Sequence, residues 1–154
     1  MNPFRSDKIL WHGDRVAELR ECGYARPVSM QLIISDLCNH DCSWCAYRAQ
    51  NGLSVEQFGG LSKKGLPTHN PYRMIPTPKV AEILDDAQSI GVKAITWTGG
   101  GEPTVHPEHM ALFERALDMG FECGLNTNGA VLRPGWDKVL PRFTYIRFSV
   151  DAGS

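Results

Sequence analysis

The sequence predicts an α/β fold built on parallel strands, and two observations carry that reading. Short runs rich in apolar and β-branched residues recur along the 154 residues. Between them lie stretches whose apolar residues fall at helical spacing. Strands that alternate with helices imply βαβ units with right-handed crossovers. Four such strands fit either a doubly wound sheet or part of a barrel.

The first strand is expected at residues 28–35 (VSMQLIIS), the second at 93–98 (KAITWT), a weaker third at 121–125 (FECGL) and a fourth at 145–150 (YIRFSV). Residues 14–21 read as a brief helix ahead of the first strand. A second helix is expected with Thr77 as its cap and Pro78 at its first position. Val80, Ile83, Leu84 and Ala87 then share a face, and Gly91 stands where a C′ glycine belongs. A third helix should begin near Pro107, present Met110, Phe113, Ala116 and Leu117, and end before Gly120. A fourth, short one holds Trp136, Val139 and Leu140 and stops at Pro141. Residues 46–76 break the rhythm. This long stretch contains Gly52, Gly59, Gly60, Gly65, Pro67, Pro71 and Pro76 and reads as a cover over a functional site. The chain thus divides into an N-terminal extension over 1–27 and a core portion over 28–154.

Bulk composition removes several function classes. Hydrophobic residues make up 42% and charged residues 21%, values of an ordinary globular domain. A net charge of −1 gives no nucleic-acid footprint and no anionic-membrane patch. Arg5, Asp7 and Lys8 are followed by no apolar signal region, and no apolar run approaches membrane-spanning length. A cytoplasmic location is therefore expected. There are five cysteines; Cys38, Cys42 and Cys45 cluster, while Cys22 and Cys123 stand alone. A disulfide framework spreads its cysteines, whereas clustered thiols in a reducing compartment point to metal.

Cys38-Asn-His-Asp-Cys42-Ser-Trp-Cys45 follows the first strand directly. Thiolates so spaced in one loop wrap an inorganic core. Iron–sulfur clusters take thiolates, normally four, so a cluster on these three keeps one iron open for a ligand. Competing readings are a structural zinc ion on the three thiols with His40 or a distant histidine, and a redox pair of Cys42 with Cys45 that leaves Cys38 unexplained. Further polar or glycine-rich segments close the later strands: Thr98-Gly99-Gly100-Gly101-Glu102-Pro103, Asn126-Thr127-Asn128-Gly129 and Ser149-Val150-Asp151. Each alone is an ordinary turn or a solvated strand end.

C-x3-C-x-aromatic-C after a first strand, with Trp44 as the aromatic, resembles the signature of the radical S-adenosylmethionine (SAM) superfamily. The resemblance implies a partial TIM-like barrel, a 4Fe-4S cluster on Cys38, Cys42 and Cys45, and SAM chelating the fourth iron. An electron from the cluster then cleaves SAM to a 5′-deoxyadenosyl radical, which takes a hydrogen atom from the substrate. Gly100, Gly101 and Glu102 match the family's GGE motif, with one extra glycine upstream, and would lie against the methionine end of SAM. Asn126, Ser149 and Asp151 are the further implied contacts, Ser149 foremost. No catalytic side chain is singled out. An electron donor such as flavodoxin or ferredoxin is implied, with a substrate drawn from peptides, nucleotides or small metabolites. The alternative is an iron–sulfur or zinc module without SAM chemistry. The family core has six βα units, so the chain is expected to be truncated after the fourth strand, short of the later contacts to adenosine. All these segments close successive strands, the rim where parallel α/β barrels keep their active sites.

Overall fold

The computed structural model describes residues 11–40, 42, 44–45, 74–131 and 133–150. Four strands, β1 (Ser29–Ile33), β2 (Ala94–Thr98), β3 (Glu122–Thr127) and β4 (Tyr145–Phe148), form one sheet in the order β1-β2-β3-β4. Every neighbouring pair is parallel, with Leu32 opposite Trp97, Ile95 opposite Cys123 and Leu125 opposite Ile146. Helix α1 (Gly13–Cys22) precedes the sheet; α2 (Thr77–Ser89), α3 (His109–Asp118) and α4 (Trp136–Val139) follow β1, β2 and β3.

Strand alternation gives the sheet two unlike faces. Leu32, Ile95, Trp97, Cys123 and Leu125 point to one side, where they join Val80, Leu84 and Ala87 of α2, Leu112, Phe113 and Ala116 of α3, and Trp136 and Val139 of α4. Phe113 is central: its ring lies 4.9 Å from Trp97, 5.5 Å from Phe143 and 5.6 Å from His109, centroid to centroid. Gln31, Thr96, Asn126, Tyr145 and Arg147 point to the other side and line a cavity of about 730 Å³. A doubly wound sheet reverses its strand order and carries helices on both faces. Here the order is sequential and one face is lined by strand residues, so the arrangement is the barrel-like of the two alternatives. No helix among the described residues is long and apolar enough to cross a membrane.

Several boundaries differ from the sequence expectations. The amides of Lys79 and Val80 bond to the Pro76 carbonyl at 2.9 and 3.0 Å, so Pro76 occupies the cap position and Thr77 lies inside α2. Gly91 does take the left-handed conformation past its end, at φ 81°. Helix α3 begins at His109, later than Pro107, because His106 and His109 donate to the carbonyls of Pro103 and His106 in tight turns. Pro141 does not stop the last helix sharply, since residues Leu140–Arg142 continue as a 3-10 turn. Strand β3 runs on through Thr127 because Asn126 and Thr127 find ladder partners in Arg147 and Phe148. Most of the long loop, residues 46–73, lies outside the described residues, as does the reading of it as a cover. Its returning end pairs Met74 with Ser35 beside β1.

His109 is fully buried, and its Nδ1 donates to the His106 carbonyl at 2.6 Å. Its Nε2 makes no hydrogen bond among the described residues. Burial accordingly holds its pKa below the ordinary value of 6.5. The folded state binds this proton less readily than the unfolded state does. The resulting contribution to stability is complete above the unfolded pKa and is lost as pH falls below about 6.5. Thermal unfolding followed across that range should show the loss, and a His109→Gln variant, with no group to titrate there, should lack that component.

Candidate cofactor site

The site is assembled where the strands end. After β1, Ser35 is buried and its Oγ accepts from the Leu37 amide at 3.0 Å, turning the chain toward the cysteine loop. After β2, the Glu102 amide donates to the Leu37 carbonyl at 2.8 Å, tying the glycine-rich loop to the cysteine loop. Gly101 permits this approach, because a Cβ there would overlap the carbonyl groups of Asp36 and Leu37.

Glu102 fastens the next strand as well. It is buried, at 3% exposure, and its carboxylate takes donors from two directions. Oε1 accepts from the Thr104 amide at 3.1 Å, the Thr104 hydroxyl at 2.7 Å and the Thr127 hydroxyl at 2.7 Å. Oε2 accepts from the Asn128 amide at 2.7 Å. Burying a carboxylate is costly without such partners, and here they arrive from the residues after β2 and from the end of β3. From the next strand, the Ser149 amide donates to the Thr127 carbonyl at 2.8 Å.

One cleft of about 290 Å³ results, and it gathers nearly all the residues singled out in the sequence. Cys38, Cys42 and Cys45 line it with Trp44. So do Gly100, Gly101 and Glu102 from the second strand end, Asn126 from the third and Ser149 from the fourth. Asp151 lies outside the described residues. Thr98, Thr127, Asn128 and Arg147 also reach the cleft. Of these, Thr98, Thr127 and Asn128 lie in segments singled out in the sequence, Asn128 with weak weight, whereas Arg147 does not. Alternation along β3 and β4 is the signal that finds Arg147, since it sets Arg147 opposite Asn126 on the inner face.

The donor set suits a cluster. All three loop cysteines are half-buried, and none is in a disulfide. Cys45 donates its amide to the Cys42 carbonyl at 3.1 Å in a tight turn, while the His40 amide donates to Cys38 Sγ at 3.4 Å. A polynuclear cluster takes one thiolate on each of several irons, so its ligands are spread around a bulkier core. The remaining cysteines differ in kind. Cys22 is exposed on α1, and Cys123 is buried in the sheet, where desolvation pushes its thiol up to about 11.

The Glu102 network generates a stability prediction. Glu102→Gln must place an NH2 group against either the Asn128 amide or a crowd of donors at Oε1, leaving buried groups unsatisfied. The expected cost is about 1–3 kcal/mol in urea unfolding. Thr127→Val removes one of the four donors and should cost about 1 kcal/mol. Unfolding midpoints unchanged in both variants would contradict the network's structural weight.

Comparison with known proteins places the site in a lineage. The family model described as the radical SAM superfamily matches residues 32–154. A tungsten-containing aldehyde ferredoxin oxidoreductase cofactor-modifying protein of Pyrococcus furiosus is 44% identical over 73 residues, covering 46% of this chain and 20% of that protein. An S-adenosylmethionine-dependent nucleotide dehydratase of Selenomonas ruminantium is 25% identical over 122 residues, 77% of this chain and 35% of that protein. Among solved structures, Streptococcus suis SuiB bound to its precursor peptide SuiA superposes with a TM-score of 0.58 at 18% identity, over 95% of this chain and 28% of SuiB. SuiB bound to SAM gives 0.57, also at 18% identity, over 91% of this chain and 28% of SuiB. The chain thus spans about a third or less of the length of the proteins it matches. The family match, over most of the sequence and from β1 onward, establishes that this chain belongs to the radical SAM superfamily.

Proposed function

We propose that this chain holds a 4Fe-4S cluster on Cys38, Cys42 and Cys45 and SAM beside it, as the N-terminal part of an enzyme that abstracts hydrogen from its substrate. The observation that carries the reading is the shared cleft: three cysteines and the Gly100–Glu102 loop line one cavity at the C-terminal ends of successive parallel strands. A cluster held by these three thiolates would keep one iron site for SAM. Together the two groups would supply one-electron chemistry that ends in hydrogen abstraction from the substrate.

The chain's own residues would divide the work. Gly100 and Gly101 present backbone where a ligand approaches closely. Glu102 already spends its carboxylate on Thr104, Thr127 and Asn128, so its part is to hold that backbone in place. Trp44, 65% exposed at the mouth, would cover the cluster from solvent. Asn126 donates to Thr98 Oγ1 at 3.3 Å, which fixes its amide at the cleft floor. Ser149, and Asp151 beyond it, would meet SAM from the fourth strand. The electron would come from a low-potential carrier such as flavodoxin or ferredoxin, and a cytoplasmic setting would keep the thiols reduced. Arg147 reaches both the cofactor cleft and the polar cavity on the inner face, which supports that cavity as the place where a substrate lies.

Anaerobic reconstitution tests the reading. The wild-type chain should take up iron and sulfide in equal amounts and show a cluster EPR signal on reduction that changes when SAM is added. Cys38→Ala, Cys42→Ala and Cys45→Ala should each lose the cluster chromophore, because no nearby thiol replaces the lost ligand. Cys22→Ala and Cys123→Ala should keep it. Zinc uptake without sulfide would favour the structural-zinc alternative. A signal indifferent to SAM would favour an iron–sulfur module without SAM chemistry.

A further inference from the structure

The geometry points to Asn128 as a positioning residue that donates a hydrogen bond to the Cys38 sulfur and so raises the reduction potential of the cluster. The inference rests on the proposed cluster site and goes beyond it, since Asn128 is no cluster ligand. Its Nδ2 lies 3.8 Å from Cys38 Sγ and 2.8 Å from Asn39 Oδ1. The two hydrogens of the amide thus have two acceptors, one of them the sulfur.

The orientation of that amide follows from its other contacts. Asn128 Oδ1 accepts from the Ala130 amide at 2.9 Å, an Asx turn. A flipped amide would set its NH2 against the Ala130 N–H and its oxygen against Asn39 Oδ1, both repulsive. The backbone beneath is fixed as well, because the Asn128 amide donates to the buried Glu102 at 2.7 Å. The donor is therefore delivered to the sulfur by the end of β3, a different segment from the cysteine loop, and is held there before any cluster arrives.

The sign of the effect follows from charge. One electron from a low-potential donor makes the cluster more negative by one unit. An N–H dipole aimed at a coordinating sulfur stabilises that reduced form more than the oxidised form, so it favours reduction. The His40 amide donates to the same sulfur from within the cysteine loop, at 3.4 Å, and stays in place when residue 128 is changed. The contribution of Asn128 is thus separable.

Two variants isolate it. Asn128→Ser and Asn128→Asp each keep an oxygen that accepts from the Ala130 amide, so the turn survives while the donor to sulfur is lost. Redox titration of the reconstituted chain without SAM, monitored by EPR, reads the midpoint potential. Asn128→Ser should lower the equilibrium constant for one-electron reduction about tenfold, equivalent to about 59 mV. Asn128→Asp, which adds a negative charge, should lower it further. Clusters of equal potential in all three proteins would overturn the proposal while leaving the cluster reading intact. No cluster in the wild type would overturn the cluster reading itself. An independent measurement covers variants that assemble poorly. In wild-type protein carrying 15N in its asparagine side chains, the electron spin of the reduced cluster should couple to an amide nitrogen. No such coupling would also overturn the proposal.

Discussion

The buried carboxylate of Glu102 is the constraint on which the upper rim of this sheet depends. Few single groups bond to so many separate segments. Its oxygens accept from Thr104 after β2 and from Thr127 and Asn128 at the end of β3, while its own amide reaches Leu37 after β1. A carboxylate 3% exposed must be satisfied by donors, and satisfying it here requires the ends of β2 and β3 to stand in one relative position. The same arrangement leaves no room for a side chain at Gly101. The loop glycine and the acid beside it thus answer one requirement: two loops from different strands must touch through their backbones.

Below the rim, the sheet separates the work of folding from that of binding. Apolar residues pack on the helix side around Trp97 and Phe113, so the hydrophobic core lies on that face. The opposite face carries Gln31, Thr96, Asn126, Tyr145 and Arg147, which add little to hydrophobic burial and are available for recognition. Among the described residues the Arg147 side chain has no hydrogen bond or ion pair, and it reaches both cavities. A cation so placed makes the inner face polar and locally positive.

Much of this was legible in the sequence where the cause was local. The cysteine spacing, the strand–helix alternation and the left-handed Gly91 are short-range features, and each appears where the residues place it. One misplaced boundary has a non-local cause. Strand β3 outruns its apolar stretch because Arg147 and Phe148 supply partners that only the folded sheet brings near. The role of Thr127 was hidden for the same reason, since it is a hydrogen bond to a carboxylate far away in the chain. Glu102 is the instructive case. The motif marks it as part of a ligand site, and the structure brings it to the cleft, yet its oxygens are committed to protein donors. Sequence located the residue but could not assign its atoms.

That commitment of atoms changes how the two halves of the cofactor site relate. The thiol loop and the glycine-rich loop follow different strands, and each could in principle have been a separate binding element. Here they share the Leu37–Glu102 backbone bond, and both meet the end of β3 through Asn128, whose backbone binds Glu102 and whose side chain faces Cys38. A displacement of Asn128 cannot leave either loop untouched. Side chains locked by second contacts hold neighbouring loops at a fixed separation more closely than loops standing alone can. The hydrogen bonds around Glu102 are therefore best understood as fixing that separation, with the stability they add to the fold as a consequence of the same geometry.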